Sequence, residues 1–185
     1  MRILIYALPR TGSNNLTHYI ANSFHYRGFI EPYHEERFWD TDLTEFDIWE
    51  RDNVVVKMMF GQGGHWYNNI KDKFDKVIIL YRENTKEQAE SYAYATKGKD
   101  WHSPYIYEPS KVTEEEYQET YKMFSRKKEI DALEGFKISY ENLYNTGIDK
   151  DRLDQYLGIT TKSFRFLLDN KNKYRKSNME VKTLI

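Results

Sequence analysis

Three groups of residues in this chain have the types and spacing to bind or transform an anion. The first is Leu8-Pro9-Arg10-Thr11-Gly12-Ser13-Asn14, which joins the apolar run Arg2-Ile3-Leu4-Ile5-Tyr6-Ala7 to a stretch where Leu16, Tyr19, Ile20 and Phe24 recur at helical spacing. A buried strand that turns straight into a helix brings free backbone N–H groups and the positive end of the helix dipole together. Such a junction attracts an anion, most often phosphate. Gly12 lets the backbone approach closely, Thr11 and Ser13 add hydroxyl donors, and Arg10 supplies a permanent cation with a planar fork. The second group is Arg82, directly after the apolar run Lys76-Val77-Ile78-Ile79-Leu80-Tyr81, with Ser91 in the helix that follows; the two can turn toward one another and chelate a second phosphate. Ser139-Tyr140-Glu141-Asn142-Leu143, after the last short strand, is the third. The competing readings are structural: an ordinary strand-to-helix turn, a surface ion pair for Arg82, a helix-surface hydroxyl for Ser91 and plain core for Tyr140.

Set against the triphosphate loop G-x-x-x-x-G-K-[ST], the first group aligns with Ala7 at the first glycine and Gly12 at the second, but Ser13 stands where the lysine belongs. Without a lysine reaching the β- and γ-phosphates, ATP or GTP hydrolysis is disfavoured. With Asn14 at the position that holds Mg²⁺, no metal is called for. What remains is a loop for one phosphate or phosphosulfate.

The elements that must position these groups follow from the apolar pattern. Strands are expected at 2–7, around Gly28-Phe29-Ile30, at 54–60, 76–81 and 136–139; helices are expected after Gly12, over 65–73, from Asn84 with a capping box to Glu87, from Thr113 with a second box to about Leu133, and over 148–156, closed by Gly158. Alternating strands and helices predict an α/β fold with a mainly parallel sheet and helices on both faces, in one domain over residues 1–185. All the candidate groups then reach the carboxyl edge of that sheet, where ligands sit in open α/β folds. Residues 97–112 read as a loop over the site, and 161–185 as a basic tail with seven Lys or Arg against two acids.

Composition narrows the function. A net charge of −1 gives no bulk attraction to nucleic acid, and the absence of cysteine excludes disulfides, thiolate metal sites and cysteine nucleophiles. The first apolar run is short and turns at Pro9, unlike a signal peptide, and no run approaches membrane-spanning length, so a soluble cytoplasmic protein is expected. Sixteen tyrosines and four tryptophans exceed what a core of this size needs. Trp39, Trp66, Trp101, Tyr105 and Tyr107 could form a wall on which a sugar stacks, or lie in the core.

The loop Pro9-Arg10-Thr11-Gly12-Ser13, then Tyr81-Arg82 with Ser91, then Tyr140-Glu141-Asn142-Leu143, resembles the three cofactor segments of the sulfotransferase family. The bacterial carbohydrate enzymes of the trehalose-2-sulfotransferase type are the most similar in spacing. The resemblance spans roughly residues 3–143. It implies a P-loop nucleoside-triphosphate-hydrolase-like three-layer α/β/α sandwich that binds 3′-phosphoadenosine 5′-phosphosulfate (PAPS), transfers its sulfonyl group to a hydroxyl, and releases 3′-phosphoadenosine 5′-phosphate (PAP). Carried over to this chain, Pro9, Arg10, Thr11, Gly12, Ser13 and Asn14 hold the 5′-phosphosulfate, Arg82 and Ser91 hold the 3′-phosphate, and Tyr140 lies near the adenine. By the same resemblance the basic segment Lys173-Tyr174-Arg175-Lys176 could close over the 3′-phosphate, or it is a solvated tail. Arg10 replaces the lysine of the eukaryotic relatives, and either cation can neutralise the bridging oxygen as the S–O bond breaks.

An acceptor hydroxyl needs a general base or an acceptor in line with sulfur, and Glu31, His34, Glu35 and Glu36 lie just beyond the second strand. The trehalose-type base is a glutamate three residues after the motif glutamate, a position His34 occupies here, so the base is left between His34 and Glu35. A polar loop of this kind can also be simply solvated. Lys57, read as the end of its strand, could assist the leaving group or bind acceptor, or else form a salt bridge to one of those glutamates. The expected partner is a small-molecule or carbohydrate acceptor, with no nucleic acid and no membrane. The alternatives are a nucleotide-dependent phosphotransferase and a non-catalytic nucleotide- or sulfate-binding module.

Overall fold

The computed structural model describes residues 1–32, 48, 51–60, 66–97 and 112–160. Its strands are β1 (Arg2–Ala7), β2 (Arg27–Ile30), β3 (Val54–Met59), β4 (Lys76–Tyr81) and β5 (Phe136–Ser139). The helices are α1 (Ser13–Phe24), α2 (Trp66–Ile70), α3 (Thr85–Lys97), α4 (Glu114–Phe124), α5 (Lys127–Ala132) and α6 (Ile148–Leu157), with a π-helical turn over Glu141–Thr146. The strands pair in the order β2-β3-β1-β4-β5, and every pairing is parallel.

β1 is apolar throughout because both of its faces are covered, as a central parallel strand requires. Ile3, Ile5 and Ala7 join Val55, Ile78, Leu80 and Ile138 beneath Leu16, Tyr19 and Ile20 of α1 and Leu153 and Leu157 of α6. Leu4, Tyr6 and Leu8 face the other way, with Val56, Met58 and Ile79, onto Tyr67 and Ile70 of α2, Ala89 of α3, Phe124 of α4 and Ile130 of α5. The molecule is therefore the three-layer α/β/α arrangement expected from the strand and helix alternation. Ala7 is level with Met59 on one side and Leu80 on the other, so the tips of β1, β3 and β4 end together. From β1 the chain crosses by α1 to β2 on one flank, and from β3 it crosses by α2 to β4 on the other. The order reverses at the tip of β1, and the crevice there receives the loop after Ala7.

Some expectations need adjusting. Lys57 is the fourth residue of β3, not its end, and pairs in register with Ile5 and Ile30. The single helix expected from Thr113 to Leu133 is two. Its start is as expected, with Thr113 and Glu116 in a reciprocal capping box, but the chain turns at Ser125 and Arg126. The turn lets Phe124 and Ile130 both enter the core, where they are 2% and 4% exposed. Among the described residues, no helix is long and apolar enough to cross a membrane.

Candidate functional site

The loop after β1 is held from outside by its carbonyls. The Thr11 hydroxyl donates to Leu8 O (2.8 Å), the Gln88 amide to Pro9 O (2.6 Å), the Arg82 guanidinium to Arg10 O (3.4 Å) and the Tyr144 hydroxyl to Gly12 O (2.6 Å). Gly12 O also accepts from the Leu16 amide at 3.2 Å. Arg10 and Gly12 both take left-handed backbone angles, φ 61° and 75°. Among the described residues, none of the backbone N–H groups from Gly12 to Asn15 is donated to a protein acceptor. α1 begins without a side-chain cap and without an acid in its first turn. With the carbonyls tied back and the amides left over at a positive helix end, the loop has the makeup of an anion nest. Thr11 is fully buried with its hydroxyl committed to Leu8, so it secures the turn; Ser13 is buried and its carbonyl accepts from Thr17.

Arg82 leaves the tip of β4 and reaches the same side of the sheet as Gly12. Its side chain is only 9% exposed. The guanidinium lies over the Tyr140 ring (4.4 Å to the centroid) and meets Glu87 (2.6 Å). Among the described residues Arg82 Nε is buried with no hydrogen-bond partner, and Glu141 Oε1 stands off at 3.6 Å. Ser91 does not meet Arg82; its hydroxyl accepts from Arg10 Nε at 3.0 Å. The two expected cradles are thus joined through Arg10, whose backbone carbonyl meets one arginine and whose side chain meets Ser91. Loss of solvent around the Arg10 guanidinium, and then the Arg82 charge, push its pKa below the ordinary arginine value.

The start of α3 is capped across the sheet. The Asn84 side chain accepts from the Glu87 amide (3.1 Å), one arm of the expected box. The other arm comes from elsewhere: the Glu141 carboxylate accepts from the Glu83 and Asn84 amides (2.9 and 3.2 Å), and Glu87 turns to Arg82 instead. Tyr140 packs its ring between Arg82 and the Tyr144 ring, 5.0 Å away.

On the α1 face of β3, Lys57 is 2% exposed and forms an ion pair with Glu31. Glu31 follows β2 in a left-handed conformation (φ 49°), and its amide extends the ladder to Lys57 O at 2.8 Å. His34, Glu35, Glu36, Arg175 and Lys176, like Trp39, Trp101, Tyr105, Tyr107 and the Trp66 side chain, lie outside the described residues. From the sequence Glu87 had a part only as a helix cap and Glu141 only as a member of its segment, and Gln88 and Tyr144 had none. Glu141 stands inside the quoted Tyr-Glu-Asn-Leu segment, whereas no local signal marks Gln88 or Tyr144, whose partners come from distant chain.

No family model matches this sequence, and no curated protein matches it. Among solved structures it is similar to a mouse sulfotransferase complexed with PAP (TM-score 0.48, 14% identity), over 95% of this chain and 63% of that one. It is similar also to an unliganded sugar kinase from Janibacter sp. HTCC2649 (0.46, 11%), over 86% of this chain and 95% of that one. A deoxyadenosine kinase from M. mycoides with bound dATP matches at 0.42 and 18%, over 84% of this chain and 99% of the kinase. Likeness at this level says nothing of what this chain binds or does.

Proposed function

We propose that this chain is a sulfotransferase that moves the sulfonyl group of PAPS in line to a hydroxyl of a carbohydrate or small metabolite. The observation that carries the reading is the pair of neighbouring anion-seeking features at the tips of β1 and β4: a loop with undonated amides from Gly12 to Asn15, and an Arg82 guanidinium whose buried Nε makes no hydrogen bond among the described residues. A nucleotide phosphorylated at both its 5′ and 3′ positions fits that donor set. Mononucleotides with a single phosphate cluster would leave one of the two features idle.

In this reading PAPS supplies the sulfur–oxygen bond that is cleaved. The loop amides, with Ser13 and Asn14, hold the 5′ end; Arg82 and Ser91 hold the 3′-phosphate, with Arg175 and Lys176 closing over it. Arg10, touching both cradles, neutralises charge as the bond breaks. His34 or Glu35 takes the acceptor proton, and Lys57 meets the leaving group or the acceptor. Positioning and charge neutralisation supply most of the rate, and no metal is required.

Calorimetric titration with PAP, ADP and ATP tests this. PAP should bind most tightly, and Arg82→Ala should remove that preference with a loss of about 2 kcal/mol, the worth of a charge-assisted hydrogen bond to a buried guanidinium. Equal affinity for all three nucleotides would overturn the reading, and Mg²⁺-dependent ATP turnover would replace it with phosphotransfer.

A further inference from the structure

We infer that Glu87 is an exchangeable occupant of the anion seat at Arg82, displaced when a phosphate dianion arrives, while Glu141 stays and holds the guanidinium in place. That the dianion is the 3′-phosphate of a nucleotide rests on the function proposed above; the exchange itself rests on the two carboxylates.

Arg82 is flanked by both, and they are held very differently. Glu87 has its side chain 59% exposed, and the contact at 2.6 Å to Arg82 is the only hydrogen bond its carboxylate makes among the described residues. The Glu141 side chain is 20% exposed and accepts from the amides of Glu83 and Asn84 while standing 3.6 Å from Arg82 Nε. Removing Glu141 uncovers two amides at the start of α3. Moving Glu87 uncovers none, because its own amide is already satisfied by Asn84.

Charge points the same way. Arg10 and Arg82 against Glu87 and Glu141 sum to zero, which gives a dianion no reason to enter. Once Glu87 swings to water the cluster carries one positive charge, and a guanidinium edge opens for two parallel hydrogen bonds. The pair is open to water on its Glu87 side, 59% exposed against 9% for Arg82, so the carboxylate can leave for solvent when a ligand of higher charge takes its place. Tyr140 under the guanidinium and the Arg10 carbonyl at 3.4 Å keep Arg82 oriented during the exchange.

The test is a thermal-shift titration of the full chain with inorganic phosphate and with PAP, in wild type, Glu87→Gln and Glu141→Gln, with ADP titrated into wild type for comparison. Glu87→Gln should bind both at least about two- to five-fold more tightly, the range for losing an ion pair with one partner in water. Glu141→Gln should bind both more weakly, by roughly ten-fold, as for a charged group left without its orienting partner. Unchanged or weaker phosphate binding in Glu87→Gln overturns the inference, and should Glu141→Gln fail to fold, the comparison of Glu87→Gln with wild type decides alone. A wild type that binds PAP no better than ADP removes the proposed cofactor, and the phosphate titration then still decides on Glu87.

Discussion

The Tyr144 hydroxyl donates to the Gly12 carbonyl at 2.6 Å, and the same ring fills the space beside the Gly12 Cα, where an added Cβ would lie 2.8 Å from Tyr144 Cε2. The ring is 2% exposed and has nowhere to retreat, and burial pushes its phenol pKa well above the ordinary tyrosine value. Gly12→Ala therefore meets two penalties, a left-handed backbone and an overpacked contact, and should cost about 2–4 kcal/mol in urea denaturation. Tyr144→Phe removes only the hydrogen bond, and Gly12 O keeps the Leu16 amide at 3.2 Å. Its cost should be about 1 kcal/mol. A Gly12→Ala protein as stable as wild type would show that the loop does not depend on this contact.

Gln88 ties the loop to α3 from a position 1% exposed, through its bond to Pro9 O. Gln88→Leu keeps the volume and drops the bond, at about 1 kcal/mol of stability. Its larger effect should be local: hydrogen exchange of the amides from Arg10 to Asn15 should quicken while the strands keep their protection. Uniform quickening through the sheet would make Gln88 a global rather than a loop anchor.

Lys57 and Glu31 form an ion pair with unequal burial, their side chains 3% and 18% exposed. Glu31→Gln leaves an ammonium deep in the fold facing a neutral amide and should destabilise by about 3–4 kcal/mol. Lys57→Met leaves a carboxylate that can turn to water and should cost about 1–2 kcal/mol. If Lys57 serves the transfer, Lys57→Met also lowers kcat by roughly a hundred-fold at saturating PAPS, a loss of about 2.7 kcal/mol of transition-state stabilisation. Unchanged kcat in this variant would leave Lys57 a structural residue.

Tyr67 gives the protein an alkaline limit. Its hydroxyl donates to Glu134 O, and burial, then the Glu134 and Tyr6 charges, push its pKa up to about 12. In the unfolded chain the phenol ionises near about 10. The folded state thus keeps the proton longer than the unfolded state does. The stability it brings is complete below about pH 10 and is lost as pH rises toward 12. Urea denaturation at about pH 9 and 11 should show a smaller decline for Tyr67→Phe than for wild type. Tyr81, Tyr117 and Tyr144, raised in the same direction, keep some slope in both proteins. Equal declines would exclude Tyr67 from the alkaline transition.

Much of this architecture was written locally. The apolar runs of β1, β3 and β4, the turn at Pro9 to Gly12, the Thr113 box and the place of Arg82 at a strand tip all follow from periodicity and from hydrogen bonds spanning a few residues, which a sequence displays directly. Partner choice was not. Asn84 and Glu87 spell a capping box, yet only half of it forms, because Glu141 arrives from the end of β5 to take one amide and frees Glu87 for Arg82. Arg82 and Ser91 lie at a spacing that suggests a chelate, yet Ser91 meets Arg10 from a different strand tip. A carboxylate or hydroxyl bonds to whichever donor the parallel registers bring level with it, and those registers are set by side chains packing across the whole sheet. The sequence alone determined the strands, the loop and the kind of charge at each tip; only the tertiary structure decided which charge faces which.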